Sequence, residues 1–279
     1  MKLTCEDINM NNSTLWERKN YLLDIDYLIA TTISEYDIRK ANISILYSEG
    51  VIDKSHYEFL YSADRMTRQV EVGYMIKNNK DIQHALDEGL KKYKKIFFEA
   101  NGIFDNDILS IKNDAIFIMK KKALNTKFGV VEFINKNSYS SFIKICRRLE
   151  VYFKSDIVNN RFDIDIKGIS DSKLQSHSAI LLVIADVLYF IEVGDLKDGL
   201  KYISDFYNQY INRLLPIEFY RNFDDESQFI INAGVSQYKL NNCNTSMINI
   251  LDISYNLNVI QELYAILSNI YFSKNRYPG

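Results

Sequence analysis

Tyr36-Asp37-Ile38-Arg39-Lys40-Ala41-Asn42-Ile43-Ser44-Ile45-Leu46 is the stretch that decides how this chain is read, and Leu109-Ser110-Ile111-Lys112-Asn113-Asp114-Ala115-Ile116-Phe117-Ile118 is its complement. The first is read as a short strand over Ser34–Ile38 that runs directly into a helix over Arg39–Ser48, with Ala41, Ile45 and Leu46 on one face and Gly50 as its stop. The second is two short apolar strands around the polar turn Lys112-Asn113-Asp114. Each stretch leaves one aspartate at an end of an element. Two readings stand for each: Asp37 as a helix cap and Asp114 as ordinary turn chemistry, or the two as a carboxylate pair at one sheet edge. A two-metal phosphoryl-transfer site needs such a pair, because carboxylates must hold two divalent ions about 4 Å apart.

Working outward, Ser55–Ser62, Asp64–Lys77 and Asp81–Ala100 are read as helices. The last carries Ile82, Leu86, Leu90, Tyr93 and Phe97 on one stripe and ends at Asn101-Gly102. Upstream, residues 1–13 are polar and loose, and Leu15–Ile33 is read as helical. Phe128–Phe133, Tyr139–Ile145, Leu149–Phe153 and Phe162–Ile166 are read as strands. After Gly168 the character changes to long apolar segments at helical spacing: Ser172–Val193, Leu196–Leu214 and Ile248–Ser273, with Asp195 as an N-cap. The expected class is α+β, with residues 1–170 forming an antiparallel sheet with packed helices and residues 171–279 a mainly helical region.

At this point a resemblance enters. The first stretch resembles motif A of the family B DNA polymerases, with Asn42-Ile43-Ser44-Ile45 where Tyr-Pro-Ser-Ile is usual. The second resembles motif C, of which Asn113-Asp114-Ala115-Ile116-Phe117 keeps the second Asp and the Ile-Phe; Lys112 stands for the first acid and Ala115 for the Ser. Lys136-Asn137-Ser138-Tyr139 is similar to the family's Lys-x-Tyr element, and Asp165-Ile166-Lys167-Gly168-Ile169 to its Lys-Gly-Ile strand. The order is collinear. The family's motif B has no recognisable counterpart; the nearest substitute runs from Arg65 to Tyr74.

The resemblance implies a palm with reduced fingers over 1–170 and a thumb over 171–279. It implies Asp37 and Asp114 as catalytic metal ligands for Mg²⁺ or Mn²⁺. It also implies Arg65, Arg68, Lys77, Lys136 and Lys167 as contacts to a nucleotide or primer-template, since guanidinium forks suit phosphate oxygens. A second function stays open: a palm scaffold without catalysis, serving as a subunit of a replication or transcription complex or as a phage factor engaging a host complex.

Composition bounds these readings. The chain has 279 residues, 47% hydrophobic and 25% charged, which suits a globular protein with a sizeable core. Net charge is −2, unlike a non-specific nucleic-acid coater, which is basic. No apolar run is long and charge-free enough to span a bilayer, and no signal-peptide h-region opens the sequence, so a cytoplasmic protein (in the host cell, if viral) without membrane partners is expected. Cys5, Cys146 and Cys243, like the three histidines, are scattered without metal-type spacing. No Walker loop, dinucleotide fingerprint or nucleophile elbow occurs. The abundance of Lys, Asn, Ile and Tyr fits an AT-rich coding sequence such as that of a phage or its host. The runs Lys91–Lys95, Lys120–Lys122 and Arg147-Arg148 are read as solvated surface.

Overall fold

The computed structural model describes residues 14–29, 31–119, 124–145, 149–156, 161–168, 178–216, 219–220, 222–223, 229–233, 236–240 and 250–276. Residues 1–13, the three cysteines, His177, Lys120–Lys122 and Arg147-Arg148 lie outside them. The protein is α+β and divides into two compact units, Met1–Asp24 with Thr32–Ser138, and Ile25–Thr31 with Tyr139–Gly279. The division runs through the stretch 1–170 that the sequence reading groups together. No helix among the described residues is long and apolar enough to cross a membrane.

The first unit is built on a six-stranded sheet of order β1-β4-β5-β3-β7-β6. Its strands are β1 (Asn20–Leu22), β3 (Ile33–Ile38), β4 (Ile108–Lys112), β5 (Ala115–Ile118), β6 (Lys127–Phe128) and β7 (Val131–Tyr139). β4 and β5 form a two-residue hairpin in which Lys112 opposes Ala115, and β5 pairs antiparallel with β3 through Tyr36 and Ile116. Side chains alternate across a strand. Tyr36 and Ile38 therefore bury on one face, joining Ile111, Ile116, Ile118 and Phe133 in the core beneath the helices. Asp37 projects from the other face.

Among the described residues this unit carries the helices α1 (Ala41–Ser48), α2 (Lys54–Ser62), α3 (Arg65–Asn78) and α4 (Asp81–Asn101). α4 lays Ile82, Leu86, Tyr93, Phe97 and Phe98 into the core and stops at Gly102, whose φ of 55° is the left-handed conformation a helix C-terminus favours. Phe97 stacks on Phe133 with ring centroids 4.2 Å apart. Each such fully buried side chain contributes about 1.5–3 kcal/mol relative to exposure. Asp53 and Asp64 cap α2 and α3, accepting from the N–H of His56 and of Thr67.

The helix expected over Leu15–Ile33 is not formed. A 3-10 turn, Leu15–Glu17, is followed by β1, by β2 (Tyr27–Leu28) and by the start of β3. Its apolar residues lack a 3.6 period, and the pairing of β1 with β4 and of β2 with β8 (Ser141–Ile145) offers better burial for so mixed a pattern.

The second unit holds a four-stranded antiparallel sheet of order β10-β9-β8-β2, with β9 (Leu149–Asp156) and β10 (Arg161–Lys167). Ile143, Val151 and Phe153 on one face share a core with α5 (Ser178–Val193), α6 (Leu196–Ile211) and α7 (Ile250–Arg276), through Val187, Ile203 and Leu263 among others. The helical reading after Gly168 passes over a three-stranded sheet, β11 (Asn222–Phe223), β12 (Phe229–Ala233) and β13 (Ser236–Leu240).

Candidate functional site

β3 ends one residue after Asp37, and the chain turns through Arg39 and Lys40 into α1. Asp37 is thus a strand residue. The cap position of α1 falls to Lys40, whose φ of 48° is left-handed and whose side chain makes no capping bond. Asp114 occupies the β4–β5 turn beside Asn113, which takes the positive φ of 55° that the tight turn needs. Because β5 lies next to β3, the strand end and the hairpin tip come together. Asp37 and Asp114 line one cleft of about 290 Å³ in the first unit, with Lys40, Arg65, Arg68 and Lys136.

The two acids are within hydrogen-bonding reach of each other. Burial first, then the charge and the hydrogen bond of Asp114, push the Asp37 carboxyl up to about 6; the Lys136 ammonium and the Ile38 N–H pull it the other way. Lys136 Nζ lies 3.8 Å from Asp37 Oδ2. Two carboxyls can hydrogen-bond only while one keeps its proton. With both ionised, Asp37 Oδ1 is a buried oxygen that accepts no hydrogen bond. A buried polar atom without a partner costs about 1–3 kcal/mol, more when charged, unless something fills its coordination. Among the described residues no group of three or more His, Cys, Asp and Glu side chains could hold a metal ion.

Of the seven site residues named from sequence, five meet in this cleft: Asp37, Asp114, Arg65, Arg68 and Lys136. Lys77 is exposed in the last turn of α3 and outside the cleft. Lys167 belongs to the second unit, where its Nζ lies 2.8 Å from Asp165 Oδ2.

Two basic residues were missed. Lys40 stands inside the deciding stretch, but nothing in its spacing separates it from an ordinary helix-start lysine. Lys94 was counted with the wet lysine run. Lys91, Lys92 and Lys95 do pair with Glu88, Glu49 and Glu99. Lys94 is buried, donates from Nζ to the Arg18 carbonyl at 2.6 Å, and is held down to about 8, by burial before anything else. Its signal was available: position 94 falls four after Leu90 and three before Phe97, on the apolar stripe itself. The same segment anchors the hairpin tip, since the Asn113 N–H donates to the Lys19 carbonyl at 2.7 Å.

Residues 10–269 match the family described as Bacteriophage PBS1 gene 130 protein. No curated protein matches the chain.

Proposed function

We propose that this chain, which belongs to the Bacteriophage PBS1 gene 130 protein family, is a polymerase-like nucleotidyltransferase whose Asp37 and Asp114 hold divalent metal for phosphoryl transfer within a replication complex. The observation that carries the reading is the orphaned Asp37 Oδ1, buried beside a second carboxyl in a cleft that also holds Lys40, Arg65, Arg68 and Lys136. The donor set fits the group: hard Mg²⁺ or Mn²⁺ prefers oxygen ligands and keeps several waters, so two carboxylates suffice to seat it. Bound there, the metal would supply the charge that activates an attacking oxygen and steadies a triphosphate. Arg65 and Arg68 on α3 and Lys136 on β7, which line the same cleft, would bind and orient phosphate oxygens, which is the larger part of catalysis in phosphoryl transfer. The collinear order of the motif A-like, motif C-like, Lys-x-Tyr-like and Lys-Gly-Ile-like segments supports a palm and thumb as the frame.

The test is primer extension on a primed template, with RNA and DNA primers and with Mg²⁺ or Mn²⁺. The expected result is extension that Asp114→Asn abolishes, a loss of at least about 10³-fold if the carboxylate is essential to charge stabilisation. A clean absence of extension under both metals sinks the self-sufficient enzyme. A second reading has its own support: Lys112 replaces one motif acid, and the Lys136 ammonium already sits against Asp37. The protein is then a palm-fold binding subunit of a replication or transcription complex, and it co-purifies with phage or host partners without extending primers.

A further inference from the structure

Lys40 and Arg68 share a feature that sets them apart from the exposed lysines of α4. Lys91, Lys92 and Lys95 each meet a carboxylate. Lys40 and Arg68 are held by neutral oxygens. The Lys40 ammonium donates to the Tyr61 carbonyl and lies 3.9 Å from the centroid of the Tyr61 ring. The Arg68 guanidinium donates to the Ala63 carbonyl at 2.5 Å. Tyr61 and Ala63 flank the end of α2, so both cations add to the hold on the short connection into α3, which the Ala63 N–H bond to the Phe59 carbonyl and the Asp64 cap on Thr67 also fix. Both also line the cleft of Asp37 and Asp114. Arg65, one residue after that connection, stands in the same wall. Lys40 is moreover a non-glycine residue in the left-handed region, a conformation that persists only where the surroundings enforce it and that clusters at ligand clamps and switch segments.

We propose that Lys40 and Arg68 form an anion-released latch: an oligophosphate entering the cleft takes both cations from the Tyr61 and Ala63 carbonyls and frees the α2–α3 connection. A phosphate oxygen carries a negative charge that a neutral carbonyl lacks, so the Coulomb attraction between opposite charges favours exchange of partners toward the phosphate. The ring of Tyr61 keeps Lys40 parked at the cleft edge while no anion is present. This rests on the reading of the cleft only in placing a phosphate-bearing ligand there; it requires neither metal nor transfer.

The experiment uses inorganic tripolyphosphate with the full chain in metal-free buffer. Affinity is measured by calorimetry, and amide hydrogen exchange is followed over residues 61–69. In the wild-type protein tripolyphosphate binds, and exchange in that segment rises by about tenfold as its local protection is lost. Lys40→Met exchanges fast there without ligand, shows no further rise, and binds tripolyphosphate about tenfold more weakly, the loss expected for one charged hydrogen bond. Arg68→Gln, which leaves the strained turn untouched, behaves the same way and serves if Lys40→Met fails to fold. Tripolyphosphate that does not bind, or that binds without changing exchange at 61–69, overturns the latch. So does a dT10 oligonucleotide that releases the segment where tripolyphosphate does not, since the ligand is then a nucleic-acid backbone. Asp37→Asn and Asp114→Asn keep the latch, which separates its failure from failure of the transferase reading.

Discussion

An ionised Asp37 is a cost to the folded chain, and the cost has a pH signature. Its carboxyl is raised from 3.8 to about 6, by burial first and by Asp114 next. A carboxyl with a raised folded pKa holds its proton longer in the folded state than in the unfolded one, so stability falls as pH climbs through that window. Below about pH 4 both states carry the proton and no penalty exists; above about pH 6 the penalty is complete. Asp37→Asn stays neutral throughout. In metal-free buffer it is expected to match the wild-type melting temperature near pH 3.5 and to exceed it at pH 7.5, by on the order of 1–3 kcal/mol of unfolding free energy. Chemical denaturation at the two pH values checks this, and an equal difference at both would show that Asp37 is not strained by its charge. Asp37 and Asp114 were legible in sequence because strand ends and hairpin tips have recognisable grammar. Lys40 was not, because a lysine's partners depend on which neighbours the fold delivers, here an aromatic ring and a helix-end carbonyl; for Lys94 the burial was legible from its place on the apolar stripe, but its partner, the Arg18 carbonyl, was not.

At the scale of elements, α1, which follows directly from the strand of Asp37, packs closely against α4. Gly89 makes that approach possible. A Cβ added there would stand 2.3 Å from Ile45 Cγ2 and 3.4 Å from Glu49 Cγ. Alanine would raise the intrinsic helix preference of α4 by about 1 kcal/mol. The clash works against this gain, and Ile45 is buried in the core. Gly89→Ala is therefore expected to destabilise the protein by about 1–3 kcal/mol, as overpacked cores do. Under the proposed transferase reading, primer extension falls along with the melting temperature, because α1 follows directly from the strand of Asp37. A neutral or stabilising Gly89→Ala would mean that the α1–α4 contact is looser than described. The helices themselves were read well from sequence, since α2, α3 and α4 carry their own caps and period. The Leu15–Ile33 segment was not, because its strands exist only through β4 and β8, which lie far along the chain.

The whole molecule adds a constraint that no single element shows. The strands β8, β9 and β10 follow β7 closely in sequence, and from sequence they read as one continuous β-region with it. Their apolar face is instead buried by α5, α6 and α7, whose positions are set by a core that assembles only in three dimensions. The same scale governs the proposed contact with nucleic acid. Net charge is −2, and the lysines of α4 that look like a phosphate track are compensated by Glu88, Glu49 and Glu99. The cleft supplies Lys40, Arg65, Arg68 and Lys136, and a ligand there also faces two acids. Affinity for a primer-template should thus arise from neutralising few phosphates. With two to four displaced counterions, the slope of log Kobs against log salt is expected at about −2 to −4, from −0.9 per phosphate on duplex. Anisotropy of a labelled primer-template over about 50 to 300 mM salt measures it. A slope steeper than about −6 would require a basic surface well beyond the cleft. A slope within the expected range that flattens by about one in Arg65→Gln would place the phosphate contact on α3, where the cationic wall meets the two aspartates.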